Sequence, residues 1–508
     1  MTSGLQFVPE RVRQHLIHAF AWVAACAALF NACLFVWLTA NPVLRSDEWY
    51  SLDIFVRKAV AGQLGAIDFF TRRYAADHAQ PLNKLVMLIE WRWFGLDSSV
   101  GAVIGVMAAT ACAVILHRVV LPTQQREQRG VARRCLAWAV ICALLFSLNA
   151  SVIWTWPLAT LGYLAVLPIL LFLLATWQAW QHRRYLTVAL ATLLLGVVAD
   201  DSAVITVVAT LVALLLFAFR EPTSSRAALW KTTLVILACM VLVRIGYSLV
   251  PLLDNSMPNP SLSARLTALY GQLRAGGAWQ WLTTPLALSV AHDNPFHGLS
   301  TTGWNKLQMV VAVGLLAAHA VFWRRALLGG YSKLTFIAVC LMLLSYGWLA
   351  AILVVRVSYF GSDYLAQDRY VEFYQFNLIA LLLMWADTSP LADRGASWRN
   401  WLTGHLPATA CGLLLLLQIP LAQAAWQQRR YVLPYYGQMA TQIEQMSADP
   451  ARTEGCLPLL VVCQWPLERR RAALELLRDQ RLNVFSSRVQ AQHRFLPRWP
   501  VNAEGRAQ

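Results

Sequence analysis

The chain has 508 residues, 58% of them hydrophobic and only 13% charged. Apolar runs of about 18 residues or more recur along it, which excludes a soluble globular protein and predicts membrane-spanning helices. The net charge of +16 does not point to nucleic acid, because the basic residues stand between the apolar runs, as the positive-inside rule requires.

The predicted fold is all-α, since a backbone in lipid must satisfy its own hydrogen bonds. Arg11 and Arg13 keep the N-terminus in the cytoplasm, and Leu16 to Ala40 forms a first span with no small-residue cleavage site after it. Asn41 to Asp97 is then the first long polar segment and lies on the outer face. Within it, SDEWYSLDIFVRKAV reads as a short interfacial helix with Ser46 as N-cap and Glu48 in its first turn. PLNKLVMLIEWRWFG mixes apolar and charged residues and reads as a second interfacial helix.

The second span is expected over Val100–Val120. Arg118, Arg126, Arg129, Arg133 and Arg134 mark the cytoplasmic loop around its end. The third runs over Cys135–Ile153 to the Trp-Thr-Trp-Pro turn, and the fourth over Leu158–Trp177. Residues 186–219 make two short spans around a tight outer turn at Asp200-Asp201, because two acids at mid-membrane are costly. The seventh span covers Thr232–Leu249, and a long outer segment, 251–306, carries a surface helix and an AHDNPFHG loop. The eighth ends at Arg324-Arg325 and the ninth covers Leu334–Val355. A tenth follows the outer loop RVSYFGSDYLAQDRYVEFYQ, and the eleventh covers Leu406–Ala424. About eleven crossings divide the chain into a transmembrane domain, 1–425, and an extracytoplasmic C-terminal tail, 426–508.

Acids, cations and a histidine crowd the first outer loop. Asp47 and Glu48 either cap the interfacial helix or serve as a general base for an acceptor hydroxyl or amine. Arg72, Arg73 and Lys84 fit a phosphate at the lipid surface, and Arg72 and Arg73 equally fit anionic headgroups. His78 is a hydrogen-bonded loop residue, a substrate contact or a metal ligand. A divalent ion would need the carboxylates beside it; no Cys/His spacing indicates zinc, so no metal ligand is assigned and a divalent ion stays open. Asp200 and Asp201 either cap a turn or line a pocket. His292, Asp293 and His297 are placed to form a lid. Eight of the ten cysteines lie in apolar runs. Cys456 and Cys463, in polar sequence, either pair or stay as thiols.

This layout resembles the GT-C superfamily of membrane glycosyltransferases. An outer acidic pair follows the first span, a second surface helix is entered through His78 and Pro81-Leu82, and a span then leads into a basic inner loop. The nearest branches are bacterial relatives of the protein O-mannosyltransferases and the lipid A aminoarabinose transferases. Many relatives carry a His-Pro-Pro or Glu-His-Arg element where this chain has Asp77-His78-Ala79-Gln80-Pro81.

The resemblance implies a bacterial inner-membrane enzyme whose donor is a polyprenyl-phosphate-linked sugar. Asp47 would be the catalytic base, with Glu48 as its neighbour. Arg72, Arg73, Lys84 and the Arg369-Tyr370 element would meet the phosphate, and His78, Asp200 and Asp201 would position sugar or acceptor. The acceptor is a glycan, a lipid or a protein. One general base suffices for a single inverting displacement. No phosphate-cradling glycine motif is present, which agrees with a lipid-linked donor.

Two other functions compete, beside a structural membrane protein with no site. A surface-polysaccharide polymerase or ligase would need arginines in a long late loop, and 251–306 carries Arg265 and Arg274. A transporter or flippase would bury charges within its spans and break its helices at mid-membrane.

Overall fold

The structure is a computed structural model and describes residues 10–73, 78–121, 131–220, 223–253, 260–296, 298–330, 332–387 and 405–492. Among these residues all regular structure is helical, with one isolated bridge joining Arg72 to Leu252. The chain opens with α1 (Glu10–Thr39) and a helical run α2, made of Glu48–Ser51, Leu52–Val56 and Arg57–Val60. Then come α3 (Pro81–Phe94), α4 (Ser99–Val120), α5 (Val131–Leu145) and α6 (Pro157–His182). The middle of the chain forms α7 (Tyr185–Val198), α8 (Asp201–Ala218), α9 (Thr223–Ser248), α10 (Leu262–Gln272) and α11 (Ala278–Val290). The last helices are α12 (Thr301–Leu328), α13 (Lys333–Phe360), α14 (Val371–Ala386), α15 (Leu406–Ala448) and α16 (Leu467–Asp479).

Among the described residues eight helices are long and apolar enough to cross a membrane: α1, α4, α6, α8, α9, α12, α13 and α15. The shorter α5, α7 and α14 pack between them; α14 lies against α13, α5 against α1, and α7 against α6 and α9. One continuous apolar core runs through the bundle. Leu186, Leu190, Leu234, Leu242, Val310 and Leu416 instead stay exposed, as lipid-facing positions must. At one end, basic side chains close off helix C-termini. Arg134 donates to the Ala386 carbonyl, Arg220 to Ala326 and Arg325 to Asp387. These carbonyls have no partner within their own helices, and the cations meet the negative ends of the helix dipoles.

The opposite end is polar and carries a second, separate core. Leu44, Trp49, Leu52 and Phe55 from the first loop pack there on Tyr436, Met439, Ile443, Leu474 and Leu477 from the C-terminal region. The helix α15 has 43 residues, or ~65 Å at 1.5 Å per residue, about twice a hydrocarbon core. It therefore runs unbroken through residue 425, where the sequence places the start of a tail, and projects to carry the cap.

Helices α2 and α3 stand where interfacial helices are expected, and α10 stands where the surface helix of 251–306 is expected. Pro81 starts α3 at its first turn, where a missing N–H costs nothing. Gly95 ends it at φ +66°, and a side chain there would strike Ser486. Two boundaries differ from expectation. The third apolar run leaves helix after Leu145 rather than at Ile153, because Asn149 is drawn into loop contacts: it donates to the Leu288 carbonyl and accepts from His292 N–H. The N-cap of α2 is Asp47 rather than Ser46, which sits at φ +49°.

Candidate active site

A cavity of about 860 Å³ opens at the polar end, between the ends of α6, α8, α9, α13 and α14. Asp47, His78, Asp200, Asp201, Arg369 and Tyr370 all line it, from four separate stretches of sequence. Its opposite wall is apolar, with Leu161, Ala165, Val166, Val204, Ile205 and Met240. Arg244, Arg265, Arg356 and Glu372 complete the charged lining. Of these, Arg244 had a legible signal, a charge inside an apolar run. Arg356 and Glu372 had none beyond their place within outer-loop sequence.

Asp47 is half-exposed, and its Oδ1 lies 3.4 Å from Arg73 Nη1. Its side chain makes no capping bond to α2, so the carboxylate is turned to the cavity rather than spent on the helix. The cap holds its backbone: Ser46 N–H donates to the Leu459 carbonyl at 2.8 Å. Arg73 stacks 4.2 Å from the Tyr50 ring, which fixes the guanidinium beside Asp47.

Glu48 faces away. It is buried, its Oε2 accepts from Arg45 N–H at 2.9 Å, and it does not line the cavity. Burial pushes its carboxyl up to about 7, against the pull of the Arg45 charge and N–H. Glu48 thus neither caps α2 with its side chain nor lines the cavity; it holds the backbone of Arg45 ahead of the helix. Lys84 also departs from its expected phosphate role. It is 5% exposed and donates to the carbonyls of Asp68, Phe69 and Thr71 at 3.0, 3.3 and 2.7 Å. Those bonds pin the 68–71 turn from which Arg72 and Arg73 emerge. Arg72 itself joins the chain to 252–253, its carbonyl accepting from Leu253 N–H. Its charge reaches Asp200 and Asp201.

Asp200 sits at φ +49° in the turn between α7 and α8. Its Oδ2 accepts from Ala79 N–H at 2.6 Å and lies 3.9 Å from His78 Nδ1. Burial and the neighbouring Asp201 raise the Asp200 carboxyl above the usual range, outweighing His78, the Ala79 N–H and Arg72. Asp201 meets His78 at 3.5 Å and Arg244 at 3.3 Å. The turn and the first loop are thus one network, so Asp200 both builds the turn and lines the pocket. His78, Asp200 and Asp201 are the described residues able to hold a metal ion, their ligand atoms all lying within 4.8 Å of one another. Arg72 and Arg244 already balance the two acids, so charge neutrality does not call for an ion.

Arg369 and Tyr370 stand on a one-turn helix, Asp368–Tyr370. Arg369 stacks over the Tyr364 and Tyr370 rings at 5.6 and 5.3 Å and donates to the Tyr364 hydroxyl. His292 does not line the cavity but clamps this turn, with Nδ1 2.9 Å from Asp293 and Nε2 3.0 Å from Asp368. Burial opposes its charge, but the hydrogen bonds to Asp293 and Asp368 prevail and lift the imidazole to about 10. His292 and Asp293 therefore work as a brace rather than a lid. Asp77 and His297 lie outside the described residues. Cys456 and Cys463 form a disulfide in the cap.

No known family matches the chain, and no curated protein or solved structure does either.

Proposed function

We propose that the chain is an integral-membrane glycosyltransferase of the GT-C kind, moving a sugar from a polyprenyl-phosphate donor to an acceptor outside a bacterial inner membrane. In this proposal α5, α7 and α14 also cross, giving eleven crossings. The N-terminus is cytoplasmic and the cap is outside. The observation that carries the proposal is the shared cavity. One half-exposed carboxylate, Asp47, opens onto the same space as Arg265, Arg356 and Arg369, beside an apolar wall. That wall continues into a groove of about 420 Å³ between α8 and α9, lined by Val207, Val208, Leu211, Leu237 and Val241, which meets the cavity at Val204, Met240 and Arg244. A lipid tail lying along the groove would bring its phosphate to the arginines.

Asp47 then takes the proton from the acceptor group as that group attacks the anomeric carbon. The carbon–oxygen bond to the lipid phosphate breaks with inversion, and the arginines receive the charge of the leaving phosphate. Arg265, from the 251–306 segment, also favours the related reading of a polysaccharide polymerase or ligase with another lipid-linked donor.

Asp47→Asn tests the base. Membrane abundance is expected to stay normal while transfer from labelled polyprenyl-phosphate sugars falls about 10²–10⁴-fold. Normal transfer by this variant sinks the proposal.

A further inference from the structure

The cavity wall holds polar atoms without hydrogen-bond partners among the described residues. Glu372, in the first turn of α14, is 3% exposed, and its Oε1 has no hydrogen-bond partner among the described residues. Trp156 Nε1 and Trp348 Nε1 are likewise buried without partners, and all three side chains line the cavity. Buried polar groups are satisfied almost everywhere in folded proteins, so one acceptor and two donors left open around one space call for a ligand.

The chain reserves room for the Glu372 carboxyl. A Cβ at residue 162 would lie 2.7 Å from its Oε2, so any side chain at Gly162 would push the carboxyl aside. No described cation forms an ion pair with Glu372, unlike Asp47 with Arg73 or Asp201 with Arg244. Beside it, the Phe373 and Trp348 rings stand 4.6 Å apart on the same wall.

We infer that Glu372, with Trp156 and Trp348, forms a subsite for the hydroxyl groups of the transferred sugar. A hydroxyl both donates and accepts, so one ligand satisfies the carboxyl and the indole N–H groups together. A phosphate only accepts and leaves Glu372 open; an ammonium only donates and leaves the indoles open. The subsite rests on the transferase proposal and gives it a substrate chemistry: the arginines take the phosphate, and Glu372 selects the sugar.

Glu372→Leu, Glu372→Gln and Gly162→Ala test it, with thermal midpoint as the control for folding. Glu372→Leu is expected to raise the donor KM about tenfold or more, with the acceptor KM unmoved. Glu372→Gln, which can still donate and accept, retains most of the affinity. Gly162→Ala keeps the charge but displaces the carboxyl and raises the donor KM in the same direction. A rise in the acceptor KM alone moves the subsite to the acceptor and overturns the assignment, as does an unchanged donor KM in Glu372→Leu. A second readout does not depend on transfer: thermal stabilisation of the purified protein by free hexoses and pentoses, with inorganic phosphate as comparison. Sugar stabilisation that Glu372→Leu removes supports the subsite. Equal stabilisation of both proteins, or none of the wild type, overturns it. Full transfer by Asp47→Asn fails the transferase proposal without touching this second readout.

Discussion

Asp47 and Glu48 are neighbours in sequence and opposites in the fold. Asp47 lines the cavity with a half-exposed carboxylate, and its described ion partner is Arg73 at 3.4 Å. Glu48 points into the second core, where Arg45 N–H satisfies it. The same division runs through the whole first loop. His78 joins Asp47 on the cavity side. Lys84, Asp68 and Glu90 lie buried on the other, each tied to nearby backbone: Lys84 to three carbonyls, Asp68 to Gly65 N–H, and Glu90 to Gly101 N–H. Density of charge at a membrane surface therefore does not by itself mark a site. The cavity-side groups pair with other charged side chains that line or border the cavity, whereas the core-side groups spend their hydrogen bonds on shaping the loop.

Lys84→Met is the change expected to separate the two sides most widely. It keeps the length of the stem but strips three buried carbonyls of a charged donor, at a cost of about 2–4 kcal/mol of stability. Transfer per folded molecule should remain well above that of Asp47→Asn. Thermal midpoints and transfer, each normalised to folded protein, check this. A variant of normal stability that has lost donor binding would return Lys84 to the phosphate and break the division.

Glu48→Gln tests the same side through pH. The Glu48 carboxyl titrates near 7 in the folded chain and near 4 unfolded, so between those values the folded state holds a proton that the unfolded chain has released. Its contribution is present in full below pH ~4 and is lost as pH rises through 7, about 3 kcal/mol in all. Gln does not titrate, so the variant should lose less stability between pH 5 and pH 8 and be the more stable protein at pH 8. Glu90, raised by burial and by Glu48, should titrate at lower pH in the variant. Identical pH profiles for both proteins would show that Glu48 is not buried as described.

The helical elements were legible because span length and the positive-inside pattern are local properties of sequence. Arginines flanking the apolar runs did mark the basic end, and PLNKLVML did form a helix. The site was legible only in part. Asp47, His78 and Arg369 stand out in conspicuously polar sequence, and Asp200 stands out by breaking an apolar run. Which of two adjacent acids faces the cavity depends on a core built with residues 436–484, and no local pattern carries that contact. Glu372 reads as an ordinary first-turn acid. Its meaning comes from Gly162, 210 residues away, and from partners that are missing.

The smallest expected effect comes from the cap. Cys456 and Cys463, seven positions apart, close a short loop, and by chain entropy such a crosslink contributes about 2 kcal/mol. That loop contains Leu459, whose carbonyl receives Ser46 N–H and so holds the residue before Asp47. Replacing both cysteines by serine should lower the thermal midpoint modestly. If the cap only stabilises, transfer per folded molecule stays unchanged, and the two sides of the loop remain independent. If the cap also positions the base, kcat falls while the donor KM holds, because the phosphate and sugar contacts lie on other elements. A fall in kcat that a reductant reproduces in the wild type, and does not deepen in the double variant, would show that Asp47 is aimed through the core that Glu48 helps to build.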